Sequence, residues 1–150
     1  MNLASIIDGH DDERVAVLSR GRPTTYGVLR RQVAGMRRGL AELGLEQGDA
    51  VAIMASNNRY FVVSYLATVG AGLVAVPINP TTPALAVKEE LQAVGARALV
   101  AGPAARALVT ANTEGALDAI EFVIGCGFEP DGGSRFETLI ESEPEPWVDV

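Results

Sequence analysis

Gly48-Asp49-Ala50-Val51-Ala52-Ile53-Met54-Ala55-Ser56-Asn57-Asn58 decides the architecture of this chain. Glycine and aspartate make a turn, six apolar residues follow without polar alternation, and a serine and two asparagines then offer the side-chain acceptors that start helices. A strand with one wet face alternates, so an unalternating run of this length predicts a strand covered on both faces. Strands of that kind belong to parallel sheets flanked by helices. Ser56 or Asn57 is the expected cap of a helix from about Asn58 to Val69.

Downstream, no charged residue occurs from Tyr60 to Ile78, a run of 19 that raises the question of a membrane span. Gly70, Gly72 and Pro77 divide the run, and Leu73-Val74-Ala75-Val76 has strand composition, so it reads as a buried helix followed by a buried strand. Thr82-Pro83 predicts an N-cap followed by proline in the first helical position, with the helix stopping at Gly95. Arg97 to Ala101 is the next strand, Gly102-Pro103 opens a helix to about Ala111, and Ile120 to Gly125 is another strand. Residues 127 to 133 read as a loop, and Ser134 with Glu137 fits a capping box for a short helix to about Ser142.

Upstream, Arg14 to Ser19 and Arg22 to Thr25 flank Arg20-Gly21 as a hairpin. Thr24 or Thr25 caps a helix whose stripe is Tyr26, Leu29, Val33, Met36, Leu40 and Leu43, spaced alternately by three and four, with Gly44 as its stop. Strand and helix alternate along the chain. The predicted fold class is therefore α/β, a mostly parallel sheet with helices on both faces and right-handed crossovers. Residues 1 to 142 read as one unit and 143 to 150 as an extended linker.

The 150 residues are 48% hydrophobic and 21% charged, an ordinary globular composition. The single cysteine, Cys126, and the absence of a basic-then-apolar leader in the first residues suit a reducing cytoplasm. The formal charge of -7 is unevenly spread: seven arginines and no acid lie between residues 14 and 38. A remainder so rich in acid argues against a nucleic-acid binder. Arg30, Arg31, Arg37 and Arg38, spaced by seven, form two rows on the flank and back of the first helix. They read as a solvated face or, more sharply, as a peripheral contact with an anionic membrane.

Other motifs carry less. Gly70-Ala71-Gly72-Leu73-Val74-Ala75 matches a relaxed dinucleotide fingerprint, but it follows a helix and enters a strand, so no helix N-terminus faces a phosphate. Gly125-Cys126-Gly127 follows a strand and has no helix after it. His10 sits among Asp8, Asp11, Asp12 and Glu13 as a turn, and Cys126 reads as an apolar strand-end residue without the positive surroundings of a reactive thiol. No Walker loop, nucleophile elbow or metal-ligand cluster is found.

Thr25-Tyr26, Gly48-Asp49, Ser56-Asn57-Asn58, Ala71-Gly72, Val76-Pro77-Ile78-Asn79-Pro80 and Leu99-Val100, in this order and spacing, resemble the N-terminal part of adenylate-forming acid-thiol ligases, in particular fatty acyl-CoA synthetases. The resemblance implies the N-terminal subdomain of the adenylate-forming enzyme fold. It also implies a parent enzyme that joins a fatty acid to ATP as an acyl-adenylate and then to CoA, with Mg2+ assisting. It further implies that the family's Pro-Lys-Gly phosphate loop, its aromatic-Thr-Glu motif, its ribose-binding aspartate and its C-terminal lysine lie beyond Val150. No catalytic, cofactor-binding or metal-binding residue is therefore assigned to this chain. A piece of such an enzyme is expected to be inactive alone and to self-associate through apolar surface. The alternative reading is a free-standing Rossmann-like module with a small ligand or nucleotide at the carboxyl ends of its strands.

Overall fold

The computed structural model describes residues 1–141. After a short 3-10 turn at Leu3–Ile7, the chain forms β1 (Val15–Ser19) and β2 (Arg22–Thr25), an antiparallel ribbon separate from the main sheet. Then come α1 (Tyr26–Glu42), β3 (Ala50–Met54), α2 (Arg59–Gly70), β4 (Val74–Pro77), α3 (Ala84–Val94), β5 (Ala96–Ala101), α4 (Arg106–Ala111), β6 (Phe122–Gly125), β7 (Ser134–Arg135) and α5 (Phe136–Leu139).

The main sheet has the order β4-β3-β5-β6-β7 and every pairing in it is parallel. The unalternating run at 50–55 is explained by its place: β3 lies between β4 and β5, and all five of its residues are buried. Its side chains divide by parity. Val51 and Ile53 pack with α1, α2 and α5, while Ala52 and Met54 pack with α3 and α4. Two apolar cores thus sit back to back, and β5 repeats the division with Val100 on one side and Leu99 on the other.

Helix α1 follows its sequence pattern. The Thr25 hydroxyl accepts from the Val28 amide at 3.3 Å, the stripe Leu29, Val33, Met36, Leu40 is buried, and Gly44 at φ 98 breaks the helix. A second face had no apolar signature. At Gly35 and Gly39 the absent side chains let α5 approach, so that a methyl on Gly35 would overlap the Ile140 carbonyl and one on Gly39 would press on the Leu139 side chain.

Several expectations are corrected. The cap of α2 is Asn58, whose Oδ1 accepts from the amides of Tyr60 at 3.0 Å and Phe61 at 3.4 Å, and neither Ser56 nor Asn57 has that role. We expect Asn58→Ala to cost about 1 kcal/mol and Asn57→Ala to stay within about 0.5 kcal/mol, read from urea midpoints. β4 is an edge strand with Val74 half exposed, because the chain returns past β3 to place β5 on its far side, and among the described residues no strand lies outside β4. Pro83 occupies the cap position of α3 without a side-chain hydrogen bond, and the helix begins at Ala84. Ser134 belongs to β7, and Glu137 does not close a capping box because its carboxylate reaches Gly127 and Tyr60. The expected end of the last helix at Ser142 and the linker 143–150 lie outside the described residues.

At the N-terminus Asn2, 4% exposed, donates to the Val69 carbonyl at 2.9 Å and accepts from the Ala4 amide at 2.9 Å. It thereby adds a second donor to a carbonyl in the last turn of α2 that also accepts from the Gly72 amide at 3.1 Å.

Candidate functional site

The direction of sheet growth reverses at β3, which pairs with β4 on one side and β5 on the other. In open parallel sheets the crevice beyond the carboxyl ends at such a reversal is where ligands are held. Here the β3 and β5 ends are drawn close: the Gly102 amide donates to the Met54 carbonyl at 2.8 Å, and a methyl on Gly102 would lie 3.1 Å from the Ala55 Cα. The open space lies toward β4, as a cleft of about 460 Å³ bounded by Ser56, Asn57, Phe61, Ile78, Asn79 and Pro80. Phe61 is held by stacking on Tyr65 one turn later, with ring centroids 5.8 Å apart. Asn79 Oδ1 accepts from the Thr81 amide at 2.9 Å and hydroxyl at 2.8 Å, so this carboxamide shapes its own turn. Ser56 and Asn57 are exposed on the rim.

A second cluster closes the β6 end. Glu137 Oε1 accepts from the Gly127 amide at 2.9 Å and from the Tyr60 hydroxyl at 3.2 Å, joining α5, the β6–β7 connection and the start of α2. Tyr60 packs edge-on against Phe136 with centroids 5.0 Å apart. Burial, reinforced by the Glu137 charge, raises the Tyr60 hydroxyl above its ordinary pKa, and burial raises the Cys126 thiol far above its own. Cys126 therefore stays a protonated core residue, in keeping with its sequence context. Nothing in the spacing of residues 60 and 137 announces this contact.

The glycines that follow β6 lie against the chain's own backbone, since a methyl on Gly125 would overlap the Phe128 carbonyl and one on Gly133 the Val123 carbonyl. At 70–72 the Gly72 carbonyl accepts from the Gly48 amide at 2.9 Å, tying the turn before β4 to the turn before β3. His10 stacks on Tyr26 at 4.2 Å, and its carbonyl accepts from Arg30 at 2.8 Å. Among the described residues no three His, Cys, Asp or Glu side chains gather to hold a metal ion, and no helix is long and apolar enough to cross a membrane.

The four arginines of α1 have different surroundings. Arg37 is buried, Arg30 binds the Ile7 and His10 carbonyls and Asp12, Arg38 pairs with Glu42 at 2.9 Å, and Arg31 is exposed.

At the amino ends of the strands Arg97 joins Asp49 at 2.5 Å and Glu121 at 2.7 Å. The Glu46 amide, at 2.8 Å, is the main cause holding the Asp49 carboxyl below its usual value, and Arg97 adds to it. A depressed folded-state value stabilises the protein above the unfolded value of about 4, and that stability is lost as pH falls through the folded value. Asp49→Asn should accordingly flatten the acid side of the stability profile below about pH 4, as measured by urea midpoints against pH.

A family model described as AMP-binding enzyme matches residues 7–145. The mitochondrial medium-chain acyl-CoA ligase of Pongo abelii is 34% identical over 88 residues, which is 59% of this chain and 14% of that protein. A benzoate CoA ligase from Burkholderia xenovorans LB400 superposes with a TM-score of 0.86 at 21% identity, over 100% of this chain and 30% of its own. An anthranilate CoA ligase in complex with anthranoyl-AMP gives a TM-score of 0.88 at 21% identity, over 99% of this chain and 30% of its own. This chain thus spans a minor part of the length of each protein it resembles.

Proposed function

This chain belongs to the AMP-binding enzyme family, and we propose that it is the N-terminal scaffold of an acid-thiol ligase that activates a fatty acid as an acyl-adenylate and passes it to CoA. The observation that carries this reading is the family match over residues 7–145, on a sheet whose carboxyl ends present an open cleft. The aliphatic substrate rests on the 34% identity to a medium-chain acyl-CoA ligase. ATP, Mg2+ and CoA are the co-reactants of the whole enzyme in this proposal. Within the 150 residues there is no Pro-Lys-Gly run, and Lys88 is the one lysine.

Phosphoryl chemistry needs fixed donors where negative charge develops. Among the described residues Gly125 and Gly133 sit against the chain's own backbone, and Glu137 and Asp49 are tied to structural partners. We therefore propose that the described residues position the catalytic half and do not carry out the reaction themselves. Sequencing the gene beyond the codon for Val150 tests this. A glycine-rich loop containing Pro-Lys-Gly within the next few tens of codons is the expected result, and a reading frame that ends without one opposes the proposal.

A further inference from the structure

Among the described residues the ribbon β1–β2 is hydrogen-bonded to no other strand; Ala16 packs against the core that includes α1, and Thr24 is buried. Its two strands fall out of step between Val15 and Val17. An irregularity of this kind shifts the alternation of faces by one residue, and here Val15 and Leu18, three apart, are both exposed, at 52% and 70%. Leu18 pairs across the ribbon with Pro23, which is also exposed. The tip is Ser19-Arg20-Gly21-Arg22, with Arg20 at φ 49 and Gly21 at φ 74. A tight hairpin turn of this geometry favours asparagine or glycine at its first left-handed position, and a bulky residue there is strained. The chain nevertheless places an arginine at that point, with a second arginine beside it and an exposed leucine behind.

We propose that this ribbon tip docks on an anionic lipid surface, with Leu18 and Pro23 entering the headgroup layer and Arg20 and Arg22 meeting the lipid phosphates and carboxylates. Aliphatic side chains bracketed by cations match that surface in both polarity and charge. The acids nearest in sequence, Asp11, Asp12 and Glu13, stand at the other end of the ribbon. The five residues of β1 set them back by about 16 Å at 3.3 Å per residue, whereas the screening length at physiological salt is about 8 Å. They therefore do little to cancel attraction at the tip. This assignment differs from one on α1, where Arg37 is buried and Arg30 is held by the N-terminal segment. It is independent of the ligase reading, because the ribbon is remote in sequence from the cleft residues 55–61 and 77–80.

The test is co-sedimentation of the whole chain with phosphatidylcholine vesicles, with and without phosphatidylserine. The expected result is binding several-fold stronger to the anionic vesicles, weakened by added salt and abolished in Arg20→Glu/Arg22→Glu. Leu18→Ser should reduce it several-fold, and Arg31→Glu/Arg38→Glu should leave it unchanged. Arg20→Gly removes one of the two tip charges while relieving the backbone, so weaker binding by that variant cannot be ascribed to unfolding. Equal binding to both vesicle types, binding that survives the ribbon variants, or loss only in the α1 variant overturns the assignment. Retention on an immobilised acidic peptide without any vesicle binding overturns it in favour of a protein partner.

Discussion

Gly35→Ala lowers the unfolding free energy by about 2 to 3 kcal/mol, although alanine is the better helix former by roughly 1 kcal/mol. The reason is the partner: the new methyl would overlap the backbone carbonyl of Ile140, which cannot turn aside as a side chain can. Helix α5 must then lift from α1, and Phe136 and Leu139 lose part of their burial in the core they share with Met36 and Leu40. Gly39→Ala is the matched control. Its methyl meets the Leu139 Cδ2, which can rotate, but also the Leu139 Cβ at 2.9 Å and Cα at 3.3 Å, which the backbone fixes, so this variant is destabilised too, though by less than Gly35→Ala because no contact is as short as the one to the Ile140 carbonyl. Urea unfolding reads the pair: the midpoint falls for both with the slope unchanged, and it falls further for Gly35→Ala. Midpoints that do not fall for either variant would mean that α5 is not seated on the glycine face.

Leu99→Ala has the larger expected effect, a loss of about 3 to 4 kcal/mol. Leu99 is fully buried in β5, the strand between β3 and β6, and it shares its core with Met54, Val87 and Leu91. Parallel strands and their helices on both sides leave little freedom to collapse into the space, so both the transfer free energy and the cavity cost are felt. For a domain whose total stability is of order 10 kcal/mol, that is a large fraction. Leu85→Ala on the exposed face of α3, at 57% exposure, should stay within about 0.5 kcal/mol. Thermal or urea unfolding of the two variants distinguishes a core position from a surface one of the same residue type.

Much of this fold was legible in the chain. The run 50–55 announced a doubly covered strand because its neighbours remove every need for polar alternation, and the stripe from Leu29 to Leu40 announced α1 because one face meets one core. What escaped was pairwise. Composition makes 73–76 a strand but is silent on its neighbours, and among the described residues β3 alone lies beside it, which makes β4 an edge. Three successive capping residues, Ser56, Asn57 and Asn58, share a chemistry, and backbone geometry alone selects the third. β7 is two residues long and has no periodicity to detect.

The site was less legible than the fold. Tyr60 and Glu137 are 77 residues apart, and their hydrogen bond depends on the β6–β7 connection folding back on itself through Gly125 and Gly133. Arg37, placed by its spacing on a charged flank, is covered by the structure around α1, just as Gly35 and Gly39 are covered by α5. Helical periodicity identifies faces, but the elements that later pack on those faces are a property of the whole chain.

In the proposed function these residues shape and support an adenylating centre whose phosphate-handling groups lie elsewhere in the enzyme. The decisive assay is ATP–pyrophosphate exchange by the purified 150-residue chain, with Mg2+ and a series of carboxylic acids from acetate to long-chain fatty acids and benzoate. No acid-dependent exchange above the protein-free blank is the expected outcome. Exchange that depends on one of the acids and disappears on heat denaturation would overturn the scaffold role.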